Sequence, residues 1–307
     1  MAADNQRIRG VLSPVVTPFK PDLSPDAERL EAHCRWLLSN DVGLAVFGTN
    51  SEANSLGVEE KIELLDYLVD SGVDPSRMMP GTGCCAVTDS IRLTSAAVRL
   101  GCAGVLMLPP FYYKGVSDEG LFRNFAEVIE RVGDSRLRIY LYNIPPVSQI
   151  TITPSLIERL LHQYPVIIAG AKDSSGDWNN TKAYIDNFSA QGFDVFPGAE
   201  TFLLQGLRSG GVGCISATAN VNPGPIARLY KTWQEPDADS QQERLDEIRG
   251  IFAKYPMIPA LKTAVANYAG DAAWITVRPP LVELAKGQVE SLIHELDAAR
   301  FSMPGIA

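Results

Sequence analysis

Lys172 is the residue whose type and setting carry the most chemistry. It follows the apolar run Val166-Ile167-Ile168-Ala169-Gly170-Ala171 and precedes Asp173-Ser174-Ser175-Gly176-Asp177. A run of that length bounded by turn residues reads as an interior parallel strand, so the amine stands where the strand emerges into the loop above the sheet. A lysine amine there is a nucleophile able to form an imine with a carbonyl substrate. A lysine that merely ends a strand and points to water is the common case, so the assignment rests on its company. Tyr142 closes another apolar run, Arg138 to Tyr142, and Thr49 follows a third, Gly43 to Gly48. The segment Gly211-Val212-Gly213-Cys214-Ile215-Ser216 adds a small-residue turn with free backbone N–H groups. An amine for the imine, a phenol and a hydroxyl to move protons, and amides to hold a carboxylate make a kit for carbonyl chemistry.

Those residues can meet only if the elements bring strand ends together. Eight short apolar runs read as strands: Val11–Val16, Gly43–Gly48, Met78–Gly81, Gly104–Leu108, Arg138–Tyr142, Val166–Ala171, Phe193–Pro197 and Gly211–Ser216. Between them lie amphipathic segments, among them Pro25–Leu38, Val58–Val69, Asp89–Leu100, Asp118–Val132 and Pro154–Gln163, several opened by a capping Ser, Thr or Asp. Eight βα units in succession predict a closed (β/α)8 TIM barrel with its active site at the C-terminal strand ends. After Asn220 the pattern is helical only, over Pro223–Trp233, Ser240–Lys254, Ile258–Tyr268 and Pro280–Leu296. The division is therefore a barrel over residues 1–222 and a helical extension of the same unit over 223–307.

Composition bounds the ligand. The chain has 307 residues, 46% of them apolar, enough to bury a large core, and a net charge of -9. That charge opposes binding to nucleic acid or an anionic membrane and leaves small molecules as the expected partners. The start, Met1 to Arg7, has no apolar signal core, and no stretch approaches the roughly 20 apolar residues of a membrane span, so a cytoplasmic protein is expected. Five cysteines, Cys34, Cys84, Cys85, Cys102 and Cys214, form no CxxC pair and read as small core residues.

Rival motifs are weaker. Gly81-Thr82-Gly83-Cys84-Cys85-Ala86 fits the GxGxxA dinucleotide pattern, but it lies in the third βα unit and the next strand, Val105-Leu106-Met107, offers no acidic residue for a ribose. The three histidines, His33, His162 and His294, fall inside helical segments, away from strand ends, so no metal site is expected. Asp173 and Asp177 read as turn chemistry. Ser209-Gly210-Gly211 lies where barrels bind phosphate, yet only Arg208 adjoins it, which does not favour a phosphorylated substrate. No cofactor is expected.

Several anchors in order then resemble one family, that of dihydrodipicolinate synthase and N-acetylneuraminate lyase, the class I pyruvate-dependent aldolases. They are Val16-Thr17-Pro18-Phe19, Gly48-Thr49 with Glu52, Gly81-Thr82-Gly83, Tyr142-Asn143-Ile144-Pro145, Gly170-Ala171-Lys172-Asp173-Ser174-Ser175-Gly176, Gly211 to Asn220, and Arg278-Pro279-Pro280-Leu281. The resemblance spans about Gly10 to Pro280. It implies that Lys172 is the Schiff-base lysine, Tyr142 the general acid/base, and Thr49 the hydroxyl linking that phenol into a relay. Tyr112 matches a tyrosine supplied in many members by the neighbouring subunit of a homotetramer, a dimer of dimers. The resemblance further implies that the backbone of Thr49 and Asn50 holds the substrate carboxylate, that Ile215 lines the pyruvyl pocket, and that Gly198 leaves room beside the imine.

The departures are as informative. Asn50 replaces the usual Thr or Ser, and Ser51 the usual glycine. Five residues after Tyr142, where the synthase carries an arginine for its aldehyde substrate's carboxylate, this chain has Val147. A lost charge-assisted contact costs about 1.5–3 kcal/mol. The expectation is a Schiff-base lyase or aldolase acting on pyruvate or another 2-oxo acid, whose substrate has an uncharged distal end such as a deoxy-sugar acid or an aromatic aldehyde. The alternatives are 4-hydroxy-tetrahydrodipicolinate synthase, a 2-keto-3-deoxy-sugar-acid dehydratase or deaminase using the same imine, and, lower, a barrel that binds ligand without catalysis.

Overall fold

The computed structural model describes residues 7–306; the reading of the chain's start at Met1 to Gln6 lies outside them. Among the described residues, seven regular strands run in chain order: β1 (Gly10–Ser13), β2 (Gly43–Leu44), β3 (Val105–Met107), β4 (Ile139–Asn143), β5 (Ile168–Asp173), β6 (Asp194–Pro197) and β7 (Gly213–Ile215). All pair in parallel, as β2-β1-β7 and as β3-β4-β5-β6. Residues 78–82 form the eighth stave between these two sheets. Met79 N donates to Leu44 O at 2.8 Å and Gly81 N to Val46 O at 2.8 Å, while Leu106 N donates to Pro80 O at 2.9 Å on the other side. The opposite seam is closed by Val212 N donating to Val195 O at 3.1 Å. The ring is a (β/α)8 barrel.

Helices α1 (Ala27–Ser39), α2 (Val58–Asp70), α3 (Val87–Leu100), α4 (Asp118–Val132), the short α5 (Pro145–Ser148), α6 (Pro154–Gln163), α7 (Trp178–Phe188) and α8 (Leu203–Ser209) alternate with the staves. Then follow α9 (Pro223–Thr232), α10 (Ala238–Phe252), α11 (Met257–Ala269) and α12 (Lys286–Ala298). Several starts are set by side-chain caps: Asp26 accepts from Arg29 N, Ser117 from Gly120 N, Thr153 from Leu156 N and Asp177 from Asn179 N. The barrel interior is filled by Leu12, Ala45, Met79, Leu106, Tyr140, Phe196 and Ile215, and a second apolar layer lies between staves and helices. Each large apolar side chain so buried contributes about 1.5–3 kcal/mol.

Four sequence readings are corrected. The third stave is not a regular strand but two isolated bridges, because Pro80 has no N–H to donate and Gly81 packs so closely that a Cβ there would lie 2.8 Å from the carbonyl carbon of Phe47. The strand expected over Val166–Ala171 starts later and includes Lys172. Residues 165–167 are a turn in which Ile167 N and Ile168 N both donate to Tyr164 O, leaving Val166 exposed. The last helix starts at Lys286 rather than Pro280, where Gln288 Oε1 takes up the Ala285 N–H at 3.0 Å. Among the cysteines, Cys34 and Cys214 are buried core residues, whereas Cys85 is exposed in the loop before α3.

Candidate active site

The registers of β4 and β5 decide the site. Tyr142 pairs with Lys172 and Asn143 with Asp173, so two functional side chains project inward side by side while their neighbours project outward. Lys172 is 2% exposed and Tyr142 equally buried. Lys172 Nζ donates to Tyr142 Oη at 3.3 Å and lies 4.3 Å from the centre of its ring. Tyr142 Oη in turn shares a hydrogen bond of 3.1 Å with Thr49 Oγ1. A buried amine, a phenol and a hydroxyl thus form one chain of contacts across β5, β4 and the loop after β2. Such a chain can form an imine at the amine and carry a proton along the two oxygens.

The outward partners fix these strand ends. Asn143 Nδ2 donates to Asp173 Oδ1 at 2.8 Å, and Asn143 Oδ1 accepts from Ile152 N at 3.0 Å. Asp173 also accepts from Ser175 N at 3.2 Å, Ser175 Oγ at 2.9 Å and Thr181 Oγ1 at 2.5 Å. It is a turn-forming carboxylate, as read from the sequence, and Asp177 caps α7.

Thr49 sits in a one-turn 3-10 segment, Thr49–Ser51, behind Gly48. Ser51 Oγ accepts from Gly48 N at 3.0 Å, and Thr17 Oγ1 donates to Ser51 O at 2.7 Å, tying this turn to the strand-one loop. Asn50, half-buried, lies in the same turn. Glu52 ends it with a left-handed backbone, φ 56°. Its carboxylate accepts from Lys262 Nζ at 2.6 Å and from Arg278 N at 2.9 Å. Lys262 also donates to Thr276 O at 2.5 Å, and both side chains of the Lys262–Glu52 pair are fully buried. Burial pushes the Lys262 amine down, and Glu52 opposes that shift. The Arg278 guanidinium pairs with Glu60 and holds that carboxyl below the usual range.

Ile215 is buried on β7 with Tyr142 in the barrel interior. Gly198, at the end of β6, has a tighter reason to be glycine than room beside an imine: a Cβ there would lie 2.8 Å from Ser174 Cα. Tyr112 does not reach the Lys172 cluster within this chain; it is 75% exposed and stacks edge-on against Tyr113. Val147 is 58% exposed on α5. Lys114 Nζ donates to Ser148 O at 2.9 Å and to Phe111 O, stapling the Tyr112 loop to the turn that carries Val147.

Sequence reasoning missed Lys262 and Glu200. Lys262 interrupts the apolar stretch Pro259-Ala260-Leu261 and Thr263-Ala264-Val265, and a lone lysine in such a helix signals a buried pair. Glu200, buried after β6, accepts from Ser216 and Thr218 and faces Arg249 of α10 at 3.4 Å, which fixes the turn beyond Ile215.

A parallel barrel that buries an amine against a phenol at its catalytic end has the architecture of a class I lyase. The profile of the dihydrodipicolinate synthetase family matches residues 7–299, and the chain belongs to that family. A DapA-like lyase of Chloroflexus aurantiacus is 32% identical over 92% of this chain and 94% of its own length. A 4-hydroxy-tetrahydrodipicolinate synthase of Desulforamulus reducens is 31% identical over the same shares, 92% and 94%. Among solved structures, the dihydrodipicolinate synthase of Agrobacterium tumefaciens superposes with a TM-score of 0.88 at 31% identity, covering 95% of this chain and 99% of that one. YagE of Escherichia coli, solved with pyruvate, gives 0.86 at 27% identity over 96% and 99%. The protein is a pyruvate-dependent lyase of the Schiff-base type.

Proposed function

We propose that Lys172 is the imine-forming residue and that the reaction is reversible aldol cleavage of a 2-oxo acid whose distal end carries no carboxylate. The observation that carries this is the buried contact of Lys172 Nζ with Tyr142 Oη at 3.3 Å. Lys172 Nζ adds to the C2 carbonyl and, with loss of water, gives the imine, which accepts the electron pair when the C3–C4 bond breaks. Tyr142, with Thr49 behind it, takes the proton from the C4 hydroxyl and returns one to the pyruvyl carbon. The backbone of Thr49 and Asn50 holds the 2-oxo acid's carboxylate, Ile215 lines the pyruvyl pocket, and Gly198 keeps the end of β6 against Ser174.

Val147, exposed and apolar, supports the assignment of an uncharged distal end. The name of the Desulforamulus reducens relative supports instead the condensation of pyruvate with aspartate semialdehyde, and the two readings separate in one assay. Steady-state rates on 2-keto-3-deoxy acids, on pyruvate with neutral aldehydes, and on pyruvate with aspartate semialdehyde are expected to rank the last lowest. The gap in kcat/KM corresponding to a missing arginine is about 10- to 100-fold. Efficient condensation with aspartate semialdehyde contradicts the distal assignment.

The assembly is read as a homotetramer acting in the cytoplasm. Exposed Tyr112 and Tyr113 support subunit contact, and five free cysteines suit a reducing compartment. Residues 1–222 and 223–307 are read as one unit, supported by the buried Lys262–Glu52 pair between α11 and the loop after β2.

A further inference from the structure

We infer that the buried Lys262–Glu52 pair is a positioning device that sets the Thr49 hydroxyl on Tyr142, so that the C-terminal helices take part in proton transfer from outside the barrel. The inference rests on the reading of Thr49 and Tyr142 as a proton relay.

The Thr49–Ser51 turn is short, and its position depends on what holds its two ends. On the near side, Thr17 Oγ1 holds Ser51 O at 2.7 Å and Ser51 Oγ holds Gly48 N at 3.0 Å. On the far side, Glu52 N donates to Thr49 O at 3.2 Å, so displacement of Glu52 is passed directly to Thr49. Glu52 adopts a left-handed conformation, φ 56° and ψ 34°, which a non-glycine residue keeps only where its surroundings enforce it. Its backbone is held locally, Glu52 N on Thr49 O and Ser55 N on Glu52 O at 2.8 Å, while both contacts to its carboxylate come from the C-terminal extension: Lys262 Nζ on one oxygen at 2.6 Å and Arg278 N on the other at 2.9 Å. Lys262 is itself fixed by Thr276 O at 2.5 Å and by the ring of Phe19, 4.5 Å away, which belongs to the strand-one loop beside Thr17. Side chains of the pair are fully buried, so water cannot substitute for either partner.

A buried ion pair is seldom the cheapest way to fill a core, since two well-packed apolar side chains often serve as well or better. What an apolar pair cannot supply is a directed bond from Lys262 to the Glu52 carboxylate, which with the bond from Arg278 N fixes the residue next to the turn that bears Thr49. Misplacement of a reacting group by about an ångström is enough to cost on the order of 100-fold in rate.

Two variants separate position from stability. Glu52→Asp keeps the charge and shortens the arm by one methylene; Glu52→Gln with Lys262→Met removes both charges, so neither is left unpaired. Each is compared with Thr49→Val and combined with it, reading kcat, KM for pyruvate and borohydride-trapped imine on protein whose fold is verified by circular dichroism. The expected result is a kcat lowered about 10- to 100-fold in both variants, with KM changed by less than about threefold and imine yield retained. Adding Thr49→Val is expected to lower kcat little further, because the pair acts through that hydroxyl. A kcat within about twofold of the parent in the folded Glu52→Asp protein, or losses that multiply with Thr49→Val, overturns the inference. If neither variant accumulates in folded form, the pair is structural and the inference falls as well. The underlying reading fails separately, by an absence of imine on Lys172 or a normal kcat for Tyr142→Phe in the unaltered background.

Discussion

Tyr142 touches both of the other groups in the cluster, Lys172 at 3.3 Å and Thr49 at 3.1 Å, so its hydroxyl bridges the amine and the threonine hydroxyl, the position the proposed proton relay requires. Tyr142→Phe removes that oxygen but keeps the ring that packs under Lys172 Nζ at 4.3 Å. Kcat is therefore expected to fall on the order of 10²–10⁴-fold while much of the imine formation persists. Steady-state assays beside borohydride trapping check both halves, and a near-normal kcat refutes the role. Lys172 and Tyr142 were legible in the sequence because each closes an apolar run, and a strand end in a barrel faces the catalytic side. The Lys262–Glu52 contact was not, since its partners lie 210 residues apart and neither has a local signal of the other.

At the scale of elements, the ends of β5 and β6 are drawn together next to Lys172. Gly198 N donates to Asp173 O at 2.7 Å, and the approach is so close that a methyl at 198 would meet Ser174 backbone at 2.8 Å. Gly198→Ala is thus expected to lower unfolding stability by about 1–3 kcal/mol through overpacking, measured by urea denaturation; an equally stable variant shows that the strand ends have slack. The same elements show where sequence reading stopped. Helices with strong apolar periodicity and caps, α4 and α6, matched their expected bounds of Asp118–Val132 and Pro154–Gln163. The third stave did not, because its pairing depends on the backbone of Phe47 and Leu106 approaching Pro80 and Gly81, a tertiary fact with no periodic trace. Gly198 was read from the sequence as leaving room beside the imine; its close packing on Ser174 is visible only in three dimensions.

For the whole molecule, the family places this chain among enzymes of one barrel architecture, while Tyr112 raises the question of how many chains make one site. It is 75% exposed and its neighbour Tyr113 71%, an aromatic pair left outside the fold of a single protomer and of the type enriched at interface cores. If Tyr112 completes the relay of an adjacent chain, Tyr112→Phe and Lys172→Ala proteins, each inactive alone, recover part of the activity when mixed so that hybrids form, because one site then receives both native residues. Full activity in a protein shown by sedimentation to be monomeric excludes a shared site. A covalent imine at one lysine is revealed by reducing the protein with borohydride in the presence of pyruvate and locating the adduct by mass spectrometry. One pyruvyl adduct per chain is expected, on Lys172, and none in Lys172→Ala; an adduct on another lysine, or no adduct at all, overturns the assignment of Lys172.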